Sequence, residues 1–181
     1  MQIRIIRTND TRPWTEHIAR NRGVESSKGE YVFLIDIDYI IPKETIEKAL
    51  DFNGDRMPIK RRFGVLDENG NILNDYKTIK SWGVKDRWLR KDYIPGHRSQ
   101  FLMRKDLFWQ LGGYNEALDG KWFFTGGAGE RFWRQWQRLE RKGEVSMSEN
   151  TLDVFMFPFG KFCESEDREN PFGLFHNLKR I

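Results

Sequence analysis

Residues 31–35, Tyr-Val-Phe-Leu-Ile, form an unbroken apolar run rich in aromatic and β-branched types, and they lead directly into Asp36-Ile37-Asp38. No other feature restricts the fold as strongly. A short run of this composition reads as a strand buried on both faces of a sheet. Strand side chains alternate, so Asp36 and Asp38 are expected on one side, at the open end of a strand over residues 31–37. Two adjacent carboxylates repel each other and are costly beside an apolar core; a divalent cation with oxygen ligands would cancel that cost. The C-terminal edge of an open α/β sheet is also where ligands bind. The plainer reading is a surface Asp-x-Asp that caps a turn before Pro42.

The flanking residues place this run in a wider pattern. Residues 1–7 partly alternate and predict a short strand. Pro13 suits a first helical turn, and the helix is expected to reach about Ser27, with Gly29 as its stop. Strand, helix and buried strand would make a βαβ unit with a parallel pair. A second helix is expected over 43–51 and a hairpin over 57–78, around Asp67-Glu68-Asn69-Gly70. Residues 81–94, with Trp82, Trp88 and many charges, read as an irregular loop able to cover a site. A strand is expected at 100–104 and a short helix at 105–111, stopped by Gly112-Gly113. Trp122-Phe123-Phe124 leads into a glycine-rich loop over 126–129. The helix expected next, 130–142, carries Phe132, Trp133, Trp136 and Leu139 on one face, and 154–159 reads as extended.

With 181 residues and no repeat or linker, the chain is expected to form one domain, 1–181. The single cysteine, Cys163, excludes a disulfide framework and a cysteine-rich zinc site. The chain has no apolar run of bilayer-spanning length and no signal peptide at Met1, so a soluble, cytoplasmic protein without an integral membrane segment is expected. The net charge of +4 suits a polyanionic ligand such as a nucleotide diphosphate. A nucleic-acid binder using the basic, aromatic residues 77–98 is the competing class. Asp86 and Asp92 interrupt that segment and no nucleic-acid motif occurs, so no nucleic-acid partner is expected. Homo-oligomerisation is left open.

Three segments in order carry a family resemblance. The first is Ala19-Arg20-Asn21-x-Gly23, then Lys28-Gly29-Glu30-Tyr31 and the strand ending in Asp36-Ile37-Asp38. The second is Phe101-Leu102-Met103-Arg104-Lys105-Asp106-Leu107-Phe108, running into Leu111-Gly112-Gly113-Tyr114-Asn115-Glu116. The third is Gly126-Gly127-Ala128-Gly129-Glu130 and the helix ending in Arg138-Leu139 and Gly143. Together, over about residues 15–145, they resemble the nucleotide-sugar-dependent glycosyltransferases of the GT-A type, family 2. The last two also resemble the C-terminal half of galactosyltransferase-like enzymes.

The resemblance implies an α/β, GT-A-like (Rossmann-related) mixed sheet flanked by helices. On this resemblance the sheet is expected to be N-terminally shortened, with Met1 falling where the family's third strand stands. The resemblance also implies metal-dependent, inverting transfer of a sugar from a nucleotide-diphosphate sugar to a hydroxyl of a glycan or other acceptor, with Mn2+ or Mg2+. Asp38 matches the metal-binding position, and Asp36 the one that contacts the ribose or the metal's water shell. Arg20 matches a position near the nucleotide, where it would pair with a phosphate; a solvated helix arginine is its other reading. Gly127 lies in the loop expected to approach the donor. Glu130 is the candidate catalytic base, or else a carboxylate that complements a helix dipole. Arg131 departs from the family's paired carboxylate at that place, which keeps open a non-catalytic relative that binds a nucleotide or sugar. His176 resembles a third metal ligand of some relatives and otherwise reads as a surface residue. His97 would touch donor or acceptor, or serve structure, and His17 is expected at the surface.

Overall fold

One strand, Arg56–Phe63, belongs to three hydrogen-bonded ladders, its first residues in one and its later residues in the other two. The structure, a computed structural model, describes residues 4–12, 15–95, 100–120, 125–158 and 162–164, with the backbone alone at 95 and 125–130. In chain order the first elements are α1 (Glu16–Ser26), β1 (Tyr31–Leu34), β2 (Tyr39–Ile40), α2 (Lys43–Leu50), β3 (Arg56–Phe63), β4 (Val65–Leu66) and β5 (Ile72–Leu73). There follow α3 (Tyr76–Ser81), α4 (Asp86–Leu89), β6 (Ile94–Pro95), β7 (Phe101–Arg104), α5 (Lys105–Gln110), a 3-10 turn (Glu116–Leu118), α6 (Thr125–Arg141) and β8 (Leu152–Met156).

The chain divides into two compact units. The first comprises residues 1–35, 51–58 and 97–151. In it β7 pairs antiparallel with β1, Val32 opposite Met103, and with the start of β3, Met57 opposite Leu102. Phe132 and Trp136, one turn apart on α6, pack into an apolar cluster with Phe101, Phe108 and Tyr114. The rings of Phe101 and Phe132 stack with centroids 5.6 Å apart. Arg56 is buried in the same unit, its guanidinium 4.4 Å from the Phe101 ring, 4.7 Å from Trp133 and 5.2 Å from Trp136. Burial pushes its pKa down to about 10, so it stays charged at neutral pH.

The second unit comprises residues 36–50, 59–96 and 152–181. The rest of β3 runs parallel to β8, Arg61 opposite Val154, and antiparallel to β6, while β8 pairs antiparallel with β2. In β8, Leu152, Val154 and Met156 are buried and Asp153 and Phe155 are not, the period of two expected of a strand with one core face. β4 and β5 form the predicted hairpin. Asp67 shapes its turn by accepting the Asn71 side-chain amide and the backbone N–H groups of Asn71 and Asn69, which together lower its pKa.

Several expectations are corrected. Residues 4–7 form no strand, and Ile5 is exposed, so the parallel βαβ pair is not made; β1 instead pairs antiparallel with β7. The strand after α1 stops at Leu34, short of residue 37, and Val32 is its one buried residue. Among the described residues β1 has a single neighbour, so only one edge of it is covered. Residues 81–94 are not an irregular loop: they hold the end of α3, all of α4 and the start of β6. The glycines at 126–129 form no loop either, because α6 begins at Thr125. The packing of its Phe132 and Trp136 face outweighs the low helix propensity of glycine, roughly 1 kcal/mol per residue. His17 is buried, not at the surface.

Candidate functional site

Asp36 and Asp38 lie in the connection between β1 and β2, Asp38 within a turn, so strand alternation is not what brings them together. The turn sends Ile37 outward, 98% exposed, and leaves both carboxylates half-buried. An apolar residue in water beside two acids withdrawn from it inverts the usual preference. The pKa of Asp38 is raised, first by burial and then by the neighbouring charge of Asp36, while Arg61 opposes the shift. Arg61 Nη1 also donates to Tyr39 Oη at 2.9 Å, which ties the residue after Asp38 to β3. Two oxygen-donor side chains under mutual repulsion suit a hard divalent cation, which takes one or two protein carboxylates together with phosphate oxygens and water. Among the described residues no three His, Cys, Asp or Glu side chains gather into one group. His176, expected as a third ligand, and His97 lie outside the described residues.

Arg20 belongs to the other unit, where polar groups are arranged differently. The carboxylate of Asp119 is buried beneath the first turn of α1; Oδ1 accepts the His17 N–H at 3.1 Å and Oδ2 the Ile18 N–H at 2.7 Å. His17 Nδ1 lies 2.7 Å from Asp119 Oδ1. Free N–H groups at a helix start are thereby satisfied by a residue 102 positions away. One turn along, Asn21 Oδ1 accepts the Tyr114 N–H at 2.9 Å, and Nδ2 donates to Tyr114 O at 2.9 Å and Glu116 Oε1 at 2.8 Å. Asn21 therefore fastens α1 to the turn after α5, in which Gly112 and Gly113 have φ of +87° and +60°. Two of the segments that carry the family resemblance meet at this one amide.

Arg20 is itself nearly buried. Its Nε is 2.9 Å from Glu16 Oε1, and its guanidinium lies 6.0 Å from the ring of Tyr114, whose phenol burial pushes up to about 12. The same turn and α6 line a polar cavity of about 200 Å³ with Glu116, Arg131 and Gln135. Glu130 and Gly127 fall in the first turns of α6, where the backbone alone is described. The structure thus brings Asp36, Asp38 and Arg61 together in one unit, and Arg20, Asn21 and Tyr114 in the other. The sequence reading missed Arg61, Asp119 and the role of Asn21. Only Asn21 had a signal, its place in a quoted motif.

Among the described residues no helix is long and apolar enough to cross a membrane. The family model described as Glycosyl transferase family 2 matches residues 1–112. A 109-residue stretch is 28% identical to an uncharacterized glycosyltransferase of Methanocaldococcus jannaschii, covering 58% of this chain and 37% of that protein.

Proposed function

The chain belongs to glycosyl transferase family 2, whose model matches more than half of it, and from that premise we propose that it transfers a sugar from a nucleotide-diphosphate donor to a hydroxyl acceptor, with inversion. The observation that carries this reading is the turn of Asp36 and Asp38, two crowded, half-buried carboxylates of which one has a raised pKa. Perturbed acids that cost stability are a mark of functional positions. Asp38 and Asp36 would hold a manganese or magnesium ion. When bound, such an ion neutralises the charge that grows on the diphosphate leaving group.

The other roles rest on the resemblance. Arg20 presents a guanidinium to a phosphate, with Glu16 and Tyr114 fixing its direction. Gly127 lets the backbone approach the donor. Glu130 takes the proton of the acceptor hydroxyl as the oxygen attacks the anomeric carbon from the face opposite the departing diphosphate. His176 would serve as a further metal ligand. A second reading, sugar or nucleotide binding without transfer, is favoured by Arg131, a cation that cannot act as the base where the family carries a carboxylate.

Calorimetry with UDP, with and without manganese, tests the donor site. Metal-dependent binding is expected, and Asp38→Asn should reduce it strongly, because the amide keeps the shape and loses the charge. Unchanged affinity and manganese dependence in that variant would remove Asp38 from the site. Donor hydrolysis, followed with a panel of nucleotide sugars, tests catalysis. Glu130→Gln should cut turnover by about 10²–10⁴-fold with donor affinity nearly intact. Nucleotide binding by a wild type that neither hydrolyses nor transfers establishes the second reading.

A further inference from the structure

β2, which carries the chain away from the carboxylate turn, is only two residues long, Tyr39–Ile40. Its one ladder among the described residues is with β8, Tyr39 opposite Met156 and Ile40 opposite Phe155. Two paired residues hold a chain weakly, since strands usually run to about 5–6 residues. The turn before them nevertheless keeps two carboxylates half-buried at each other's expense. Holding such charges in place takes a further attachment, and Arg61 provides it. Ile59 and Phe63, two positions either side of it on β3, are buried, so strand alternation directs Arg61 to the same apolar face. A guanidinium there is costly unless it is bonded. Its register partner on β8 is Val154, and β8 lies between β3 and β2. Arg61 Nη1 donates to Tyr39 Oη at 2.9 Å, so the two side chains meet over the intervening strand.

The Tyr39 ring packs against the apolar cluster of Phe63, Ile79 and Met156, which fixes the body of the side chain while Arg61 fixes its hydroxyl. Tyr39 follows Asp38 directly, so a fixed Tyr39 also fixes the backbone from which the Asp38 carboxylate projects. The charge of Arg61 acts on the same place, where it opposes the rise of the Asp38 pKa. A guanidinium has donors only and cannot ligate a cation. Its bond to Tyr39 favours cation binding by pre-organising the turn, whereas its charge disfavours it by repulsion. The opposite signs allow the two effects to be separated.

We propose that the Arg61–Tyr39 hydrogen bond is a latch that sets the geometry of the carboxylate turn, which makes both side chains positioning residues for the cation that Asp36 and Asp38 would hold. The inference rests on the metal-dependent donor reading for the cation. The latch itself stands on the bond over β8.

The test is manganese binding by the full chain, followed through the EPR signal of the free ion with and without UDP, in a double-mutant cycle of Tyr39→Phe and Arg61→Met. Tyr39→Phe removes one hydroxyl and keeps the ring in its cluster, and it should weaken manganese binding by about tenfold or more. In the Arg61→Met background the same change should alter binding by less than about twofold, because the bond is already gone. Loss of the Arg61 charge is common to both members of that second pair and cancels. Hydrogen exchange at the amides of residues 38–40, measured without metal, should quicken by about tenfold or more in Tyr39→Phe while the β3 amides keep their wild-type rates. Equal weakening in both backgrounds would make the hydroxyl act on the ion by itself and overturn the latch. Unchanged exchange at residues 38–40 would overturn it as well. A wild type that binds no manganese, with or without UDP, overturns the proposal together with the metal-dependent donor reading. A Tyr39→Phe variant that binds manganese as well as a binding-competent wild type overturns the latch alone and leaves the donor reading in place.

Discussion

Asp119 and Asp38 are both withdrawn carboxylates, and the contrast between them separates architecture from function in this chain. Asp119 sits under α1 with its oxygens occupied by two backbone N–H groups and His17. Asp38 sits in a turn where burial and a second carboxylate act against its ionised form. A buried charge with well-placed donors holds elements together. A buried charge crowded by its own kind costs stability until a cation arrives.

The sharpest way to break this comparison is to remove Asp119. Asp119→Ala leaves the His17 and Ile18 N–H groups without their acceptor, and a loss of about 3 kcal/mol or more is expected in urea unfolding. A loss near zero would mean that the carboxylate does not anchor α1. Arg56→Lys comes next, at about 2 kcal/mol, because an ammonium cannot lie flat against Phe101, Trp133 and Trp136 as a guanidinium does. Arg56→Met should lose less, since it fills the space without a buried charge. Equal losses would show that the site tests volume and not planarity.

Gly113→Ala should cost about 1–2 kcal/mol, because φ is +60° there. The added Cβ would also lie 2.9 Å from Trp109 and 3.2 Å from Asn21 Oδ1. The smallest effect has the opposite sign. The folded-state pKa of Asp38 is raised above its ordinary 3.8, so the native state holds that proton more tightly than the unfolded chain. Ionised Asp38 therefore penalises folding above this range, and the penalty disappears as pH falls toward 3.8. In metal-free buffer Asp38→Asn should raise Tm slightly at pH 7 and leave it unchanged near pH 3.8. A lowered Tm at pH 7 would place Asp38 with Asp119, among the groups that hold the fold.

Local signals sufficed for the elements that packing and turn chemistry mark plainly. The Asp67-to-Gly70 turn, the helix stop at Gly112-Gly113 and the apolar face of Phe132 and Trp136 could all be read, because each depends on neighbours within a few residues. Order and spacing of three segments likewise indicated glycosyl transferase family 2 and a mixed α/β fold. The tertiary structure decided what depends on distant partners. Residues 4–7 join no ladder although one edge of β1 is uncovered among the described residues, and the start of α6 goes with the cluster that its aromatic face enters. No local rule joins Asn21 to Tyr114, 93 positions away, or Asp119 to His17, 102 positions away. Alternation predicted that Asp36 and Asp38 would share a side. A turn, with Ile37 pushed into water and Arg61 brought in from β3, is what makes them neighbours, because the electrostatics of a carboxylate follow the charges and solvent around it and not its place in the sequence.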